Sequence, residues 1–194
     1  MAILIAISGP PGSGKSTLCR HLLHQLPTSI YVSMDDFQLM TDWDPSTLKN
    51  WLQHGADYNK LPMPGLEACL RDAIKAQDDL SRNFDGLDRI VFLESHLGRA
   101  TYALARLVNY VVWIDCDLDI CLARALLSII EQQSSQVSNA SSNRCEVSYY
   151  LKHYIALTSE LLRLQQRRIR GDADYIYNGS NMAGLLAWIS SKAA

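Results

Sequence analysis

Residues Gly9-Pro10-Pro11-Gly12-Ser13-Gly14-Lys15-Ser16, with Thr17 directly behind them, have the spacing of a phosphate-binding loop. The pattern G-x-x-x-x-G-K-[ST] serves one chemistry. Glycines let the backbone curl until successive N–H groups point inward at phosphate oxygens. A lysine placed as Lys15 is reaches the outer phosphates as a point charge, and a hydroxyl placed as that of Ser16 ligates Mg²⁺. Residues 9–17 are therefore expected to hold ATP with Mg²⁺. No [NT]-K-x-D element follows a strand, which argues against guanine as the base. Carboxylates supply the second half of the chemistry. Ser33-Met-Asp35-Asp36-Phe37, Leu93-Glu94-Ser95-His96 and Asp115-Cys-Asp117 each follow an apolar run. Glu94, directly after Ile90-Val-Phe-Leu93, is poorly solvated without a partner, and Mg²⁺ or its water shell is the natural one. Asp35 and Asp36 could also cap a turn, while Asp115 and Asp117 read as the negative start of a helix. The five histidines have no metal-ligand spacing. His96 alone lies near the site, and it reads as structural.

These residues need a scaffold that brings strand ends together. Ala2–Ile7 before the loop is a short apolar strand, and Thr17–Leu26 after it is a helix ended by Pro27. Ser29–Ser33, Arg89–Leu93, Asn109–Ile114 and Asp174–Tyr177 read as four further strands. The nearly continuous apolar runs of Arg89–Leu93 and Asn109–Ile114 suit a parallel sheet covered on both faces. Helices are expected from Asp44-Pro45 to Leu52, Pro64 to Gln77, Leu118 to Gln132, Val147 to Arg168 and Ala183 to Ser191. Gly86-Leu-Asp reads as a turn. Gln132 to Asn143 is rich in Ser, Gln and Asn without periodicity and reads as a mobile loop. The alternation of strands and helices predicts a single α/β domain with a doubly wound, mainly parallel five-stranded sheet. Ligands of such sheets bind outside the carboxyl ends of the strands, where the loop and the carboxylates gather.

Composition narrows the partners. The 194 residues suit one domain with one sizeable core. A net charge of −2 gives no global attraction to nucleic acid or membrane, so an anion must be met locally. Five scattered cysteines without a C-x-x-C pair argue for a reducing compartment, against a disulfide framework and against a zinc site. The opening residues show no basic segment and too short an apolar run for a signal peptide or membrane span. The expectation is a cytoplasmic protein, monomer or homodimer, acting on a small molecule.

Gly9 to Thr17, Val32-Ser-Met-Asp-Asp-Phe37 and Phe92-Leu-Glu94 together resemble the uridine kinase and nicotinamide riboside kinase group of phosphate-loop kinases. The likeness extends to Trp43-Asp44, Gly55-Ala-Asp-Tyr-Asn59 and Leu97-Gly-Arg99. It implies a P-loop NTPase fold with a small lid, here about residues 124–146. It implies an ATP- and Mg²⁺-dependent kinase whose acceptor is a hydroxyl of a nucleoside or riboside. Asp35 would take the acceptor proton and, with Ser16 and Glu94, attend the metal. Asp36, Trp43, Asp44, Tyr58 and Arg99 would face the acceptor. Lys15, and Arg124 from the lid, would meet the transferring phosphoryl group. The chain departs from the group in following Glu94 with Ser95-His96 rather than glycine, and in carrying Arg124 alone on the lid helix. Arg163, Arg167, Arg168 and Arg170 read as a solvated helix end. Two other readings stay open. One is a kinase for another small metabolite, a sugar acid or a nucleoside monophosphate, for which Arg99 is the candidate anion partner. The other is a regulatory ATPase without a small-molecule acceptor.

Overall fold

A computed structural model of the chain describes residues 2–38, 43–83, 89–134 and 140–193. Five strands, β1 (Ile3–Ser8), β2 (Ile30–Ser33), β3 (Ile90–Ser95), β4 (Tyr110–Ile114) and β5 (Tyr175–Tyr177), form one sheet in the order β2-β3-β1-β4-β5. Every pairing is parallel. The period-two alternation of a strand sends successive side chains to opposite faces, and both faces are covered. Leu4, Ala6, Leu93 and Val111 pack on one face with Leu70 of α3 (Leu66–Asn83) and Leu161 and Ile169 of α7 (Ser159–Gly171). Ile5, Ile7, Phe92 and Val112 pack on the other with Leu18 and Leu22 of α1 (Lys15–Gln25) and Leu185 of α8 (Met182–Ala193). This is the α/β P-loop NTPase architecture.

Register fixes which strand ends meet. Ile7 and Ser33 both lie opposite Glu94, and Ser8 lies opposite Ser95. The carboxyl ends of β1, β2 and β3 are therefore level, and the phosphate loop leaves from β1, the central strand of the sheet. α2 (Pro45–Gln53) starts by the expected device. Pro45 occupies its first turn, and the Asp44 carboxylate accepts hydrogen bonds from Ser46 N at 2.9 Å and Thr47 N at 3.1 Å.

Four features differ from the sequence reading. β3 runs two residues further than expected, so Glu94 lies within the strand. A short helix, α4 (Tyr102–Leu107), follows β3; its six residues are too few to show a period. The Ser/Gln/Asn-rich run is helical on both flanks, as the end of α5 (Leu118–Ser134) and the start of α6 (Ala140–His153). Such residues cost well under 1 kcal/mol each in a helix, so adjoining turns can override them. The long helix expected from Val147 to Arg168 is present as a continuous helical run, with one unforeseen feature, a π-helical turn at Tyr154–Thr158 between α6 and α7. The Gly86 turn and residues 135–139 of the expected loop lie outside the described residues. No described helix is long and apolar enough to cross a membrane.

Candidate active site

The loop after β1 is held open by two left-handed residues, Gly12 at φ 79° and Gly14 at φ 97°. A side chain at Gly12 would collide with the Cys121 carbonyl oxygen of α5, so the loop lies directly against that helix. Gly14 ends the loop, and α1 begins at Lys15, so the first turn of a helix presents its unpaired N–H groups to the loop's concave side. The Lys15 ammonium donates to the Pro10 carbonyl at 3.2 Å. Burial holds its pKa below the usual lysine value, against the pull of Glu94 and Asp35.

Glu94 is 6% exposed and has two partners. The Ser16 hydroxyl donates to Oε1 at 2.6 Å, and the Tyr31 hydroxyl donates to Oε2 at 2.5 Å. The expected need for a partner is thus met within the protein from two directions, α1 and the outer strand β2. Asp35 follows β2 on a short 3-10 turn, Met34–Asp36, and accepts from Gln38 Nε2 at 3.2 Å. Its pKa is raised by loss of water first, with Glu94 and Asp36 adding and Lys15 opposing.

Lys15, Ser16, Asp35 and Glu94 open into one cavity of about 550 Å³. Its far wall comes from the π turn between α6 and α7 and its flanks: Tyr149, His153, Leu157, Thr158, Leu161, Leu162 and Gln165. Trp43 closes one side and stands edge-on to Trp51 at 5.9 Å. His96 also lines the cavity, and burial together with the nearby Lys15 charge lowers its pKa to about 3. At neutral pH it is an uncharged imidazole in the wall. His96 stands near the site as the sequence placed it, whereas spacing gave no reason to place His153 or Gln165 here. The one available signal was Gln165 itself, a polar residue inside the apolar stripe Leu161, Leu162, Ile169.

Other candidates fall elsewhere. Asp36 is exposed and is not part of the cavity wall. Asp44 spends both carboxylate oxygens on its cap, Oδ2 accepting from Thr47 Oγ1 at 2.6 Å. Tyr58 is buried, packs on Trp51 and lies beneath the Arg168 guanidinium. Arg99 shares a different cavity with Tyr58 and is paired with Asp174 and Asp172. Arg124 lines a third cavity of about 680 Å³, beside Ser13, Gly14 and Thr17, and donates to Cys116 Sγ at 3.7 Å. The phosphate loop is thus a shared wall, with the carboxylates on one side and Arg124 on the other. The arginines of α7 are not simply solvated. Arg168 donates to the carbonyls of Gly55 and Ala56, each at 3.0 Å, and Arg170 makes a two-pronged pair with Asp115 at 2.9 and 3.0 Å. Asp115 therefore serves as an ion-pair partner rather than a helix start.

Residues 5–147 match a protein family described as "AAA domain". No curated protein matches the chain. A solved structure described as a possible uridine kinase from Bacillus stearothermophilus is 12% identical, with 91% of this chain and 89% of that one covered and a TM-score of 0.53. That likeness shows a shared fold. Shikimate kinase from Aquifex aeolicus is 16% identical over 98% of both chains, with a TM-score of 0.43, too loose to carry argument.

Proposed function

The chain belongs to the AAA domain family, and from there we propose that it is an ATP- and Mg²⁺-dependent kinase transferring the γ-phosphoryl group to a hydroxyl of a small molecule, a nucleoside or other riboside. The observation that carries the reading is the convergence of Lys15, Ser16, Glu94 and Asp35 in a cavity that extends well beyond the phosphate loop. An ATPase without an acceptor has no use for the room between Asp35 and α7.

The donor set suits Mg²⁺. It is hard oxygen throughout: the Ser16 hydroxyl, Glu94 and Asp35. Mg²⁺ is ordinarily held by one or two protein carboxylates, with waters and phosphate oxygens completing its shell. When bound, Mg²⁺ neutralises charge on the phosphates. The protein's own residues do the rest. Backbone N–H groups of residues 12–17 and the Lys15 ammonium orient the phosphates, since phosphoryl transfer is mostly positioning and electrostatics. Asp35 accepts the acceptor's hydroxyl proton, and its raised pKa brings it nearer the operating pH, where a base works best. Ser13, Gly14, Thr17 and Arg124 border the cavity that would take the rest of the nucleotide. The α5–α6 hairpin would act as the lid, closing over the donor and excluding water.

The test is acceptor-dependent ADP release over a panel of nucleosides, sugars and vitamins, with Lys15→Ala as the control. At least one hydroxyl compound should stimulate turnover, and Lys15→Ala should abolish it. Full turnover in Lys15→Ala, or ADP release that no compound stimulates, would overturn the reading.

A further inference from the structure

We propose that the acceptor is an uncharged molecule with an apolar or aromatic body, read through the carboxamide of Gln165. This rests on the kinase reading above and narrows it. Two observations support it.

The first is the charge inventory of the acceptor side. Among the described residues of the cavity wall, Lys15 is the only side chain that is always a cation. It belongs to the donor phosphates and already faces Glu94 and Asp35. Arg99, which a phosphorylated acceptor would need, lies in another cavity and is committed to Asp172 and Asp174. A phosphate or carboxylate on the acceptor would enter beside two carboxylates and find no arginine. Desolvating an unpaired anion there is unfavourable, whereas Trp43, Leu48, Leu157 and Leu161 suit an apolar body.

The second observation is Gln165. It is 4% exposed and lines the cavity, and its carboxamide has no hydrogen bond to a side chain or backbone group among the described residues. Its amide atoms are not among the fully enclosed unpaired polar atoms, so what exposure it keeps opens to the cavity. It stands in the otherwise apolar stripe of α7, between Leu161, Leu162 and Ile169. A carboxamide offers both donor and acceptor atoms and no charge. It complements a neutral group with mixed polarity, such as an amide, an imide or a vicinal diol.

The variant is Gln165→Met, which keeps the length and removes the hydrogen bonds. Three neutral and anionic probe pairs are titrated: uridine and uridine 5′-monophosphate, ribose and ribose 5-phosphate, glucose and gluconate. Binding is read by calorimetry in the presence of a non-hydrolysable ATP analogue with Mg²⁺. We expect at least one neutral probe to bind more tightly than its anionic counterpart. We expect Gln165→Met to weaken it about 10- to 100-fold, the loss of a buried hydrogen-bonding partner. Affinity for the ATP analogue should not change, and the melting temperature should stay level, because the carboxamide has no partner in the protein to lose. Anionic probes binding as well as neutral ones, no neutral probe binding, or Gln165→Met binding like wild type would each overturn the proposal. A fall in melting temperature with unchanged probe binding would also overturn it, since Gln165 would then be structural. Acceptor-stimulated ADP release is measured separately. Its absence alongside the expected binding would overturn the kinase reading and leave the recognition of neutral ligands standing.

Discussion

Glycine-to-alanine substitution in the phosphate loop separates two costs that usually come together. Gly14 has φ 97° and open space where a Cβ would stand. Gly14→Ala therefore carries only the conformational cost of a left-handed non-glycine residue, roughly 1–2 kcal/mol. Gly12 has φ 79°, and its Cβ would strike the Cys121 carbonyl, a backbone atom of α5 that cannot rotate away. Gly12→Ala carries the same conformational cost plus an overpacking cost of about 1–3 kcal/mol. The added part corresponds to about 5- to 150-fold in the population of the correctly closed loop. If the loop yields, its N–H groups turn off the phosphates and ATP affinity falls. If α5 yields, the melting temperature falls by roughly 2–4 °C per kcal/mol. Calorimetric ATP titration and thermal melting of both variants measure the two routes together. Gly12→Ala must be worse than Gly14→Ala on at least one of them. Equal behaviour of the two variants would refute the claim that the loop is seated against α5.

Four other outcomes are expected. Asp35→Asn should lower kcat by about 10²–10⁴-fold with little change in ATP affinity; equal activity in Asp35→Asn with a dead Asp36→Asn would assign the base to the neighbouring carboxylate. Tyr31→Phe should raise the Mg²⁺ concentration for half-maximal rate about fivefold, the worth of roughly 1 kcal/mol, because Glu94 Oε2 loses its donor; an unchanged Mg²⁺ requirement would show that Tyr31 does not position Glu94. Asp44→Ala should lower the melting temperature by a few degrees and leave acceptor KM unchanged, since both its oxygens serve the cap of α2; a selective rise in acceptor KM would restore Asp44 to the acceptor site. His96 binds its proton only near pH 3 in the folded chain, against an ordinary value of 6.5. The unfolded state therefore binds more protons, and stability falls as pH drops from about 6.5 toward 3. His96→Phe should flatten the melting-temperature profile over that window; an unaltered profile would mean that His96 is not the titrating group.

The phosphate loop, the strands and the cap of α2 were legible because each is a local pattern: glycine spacing, a continuous apolar run, Asp before Pro. Glu94 was half legible. A carboxylate after four apolar residues demands a partner, but nothing local says that the partner is Tyr31, on a strand 63 positions away. The far wall of the cavity was not legible. Its residues come from the π turn between α6 and α7, and an amphipathic pattern that runs through Val147 to Arg168 does not announce a π turn. Arg168 and Arg170 misled for a related reason. Basic residues suit any helix C-terminus, so their charge said nothing about the carbonyls of Gly55 and Ala56 or about Asp115.

Those two arginines bear on how the site can move. They pin the C-terminal end of α7, one to the loop before Tyr58 and the other to the end of β4. Gln165 sits a single turn before Arg168, so its position relative to the sheet edge is fixed by the same anchors. The other end of the assembly is tied differently. α6 continues into α7 through the π turn at Tyr154–Thr158, and π turns recur at functional sites. His153, Leu157 and Thr158 at that turn line the cavity that holds Lys15 and Asp35, the proposed acceptor site. A lid motion of α5 and α6 would therefore pivot beside the acceptor while leaving Gln165 in place. Recognition and closure would lie on opposite sides of one hinge. An acceptor seated against Gln165 would touch the turn, and only through the turn would its presence reach the lid. That arrangement gives a kinase a physical means of delaying closure over ATP until an acceptor, rather than water, stands next to Asp35.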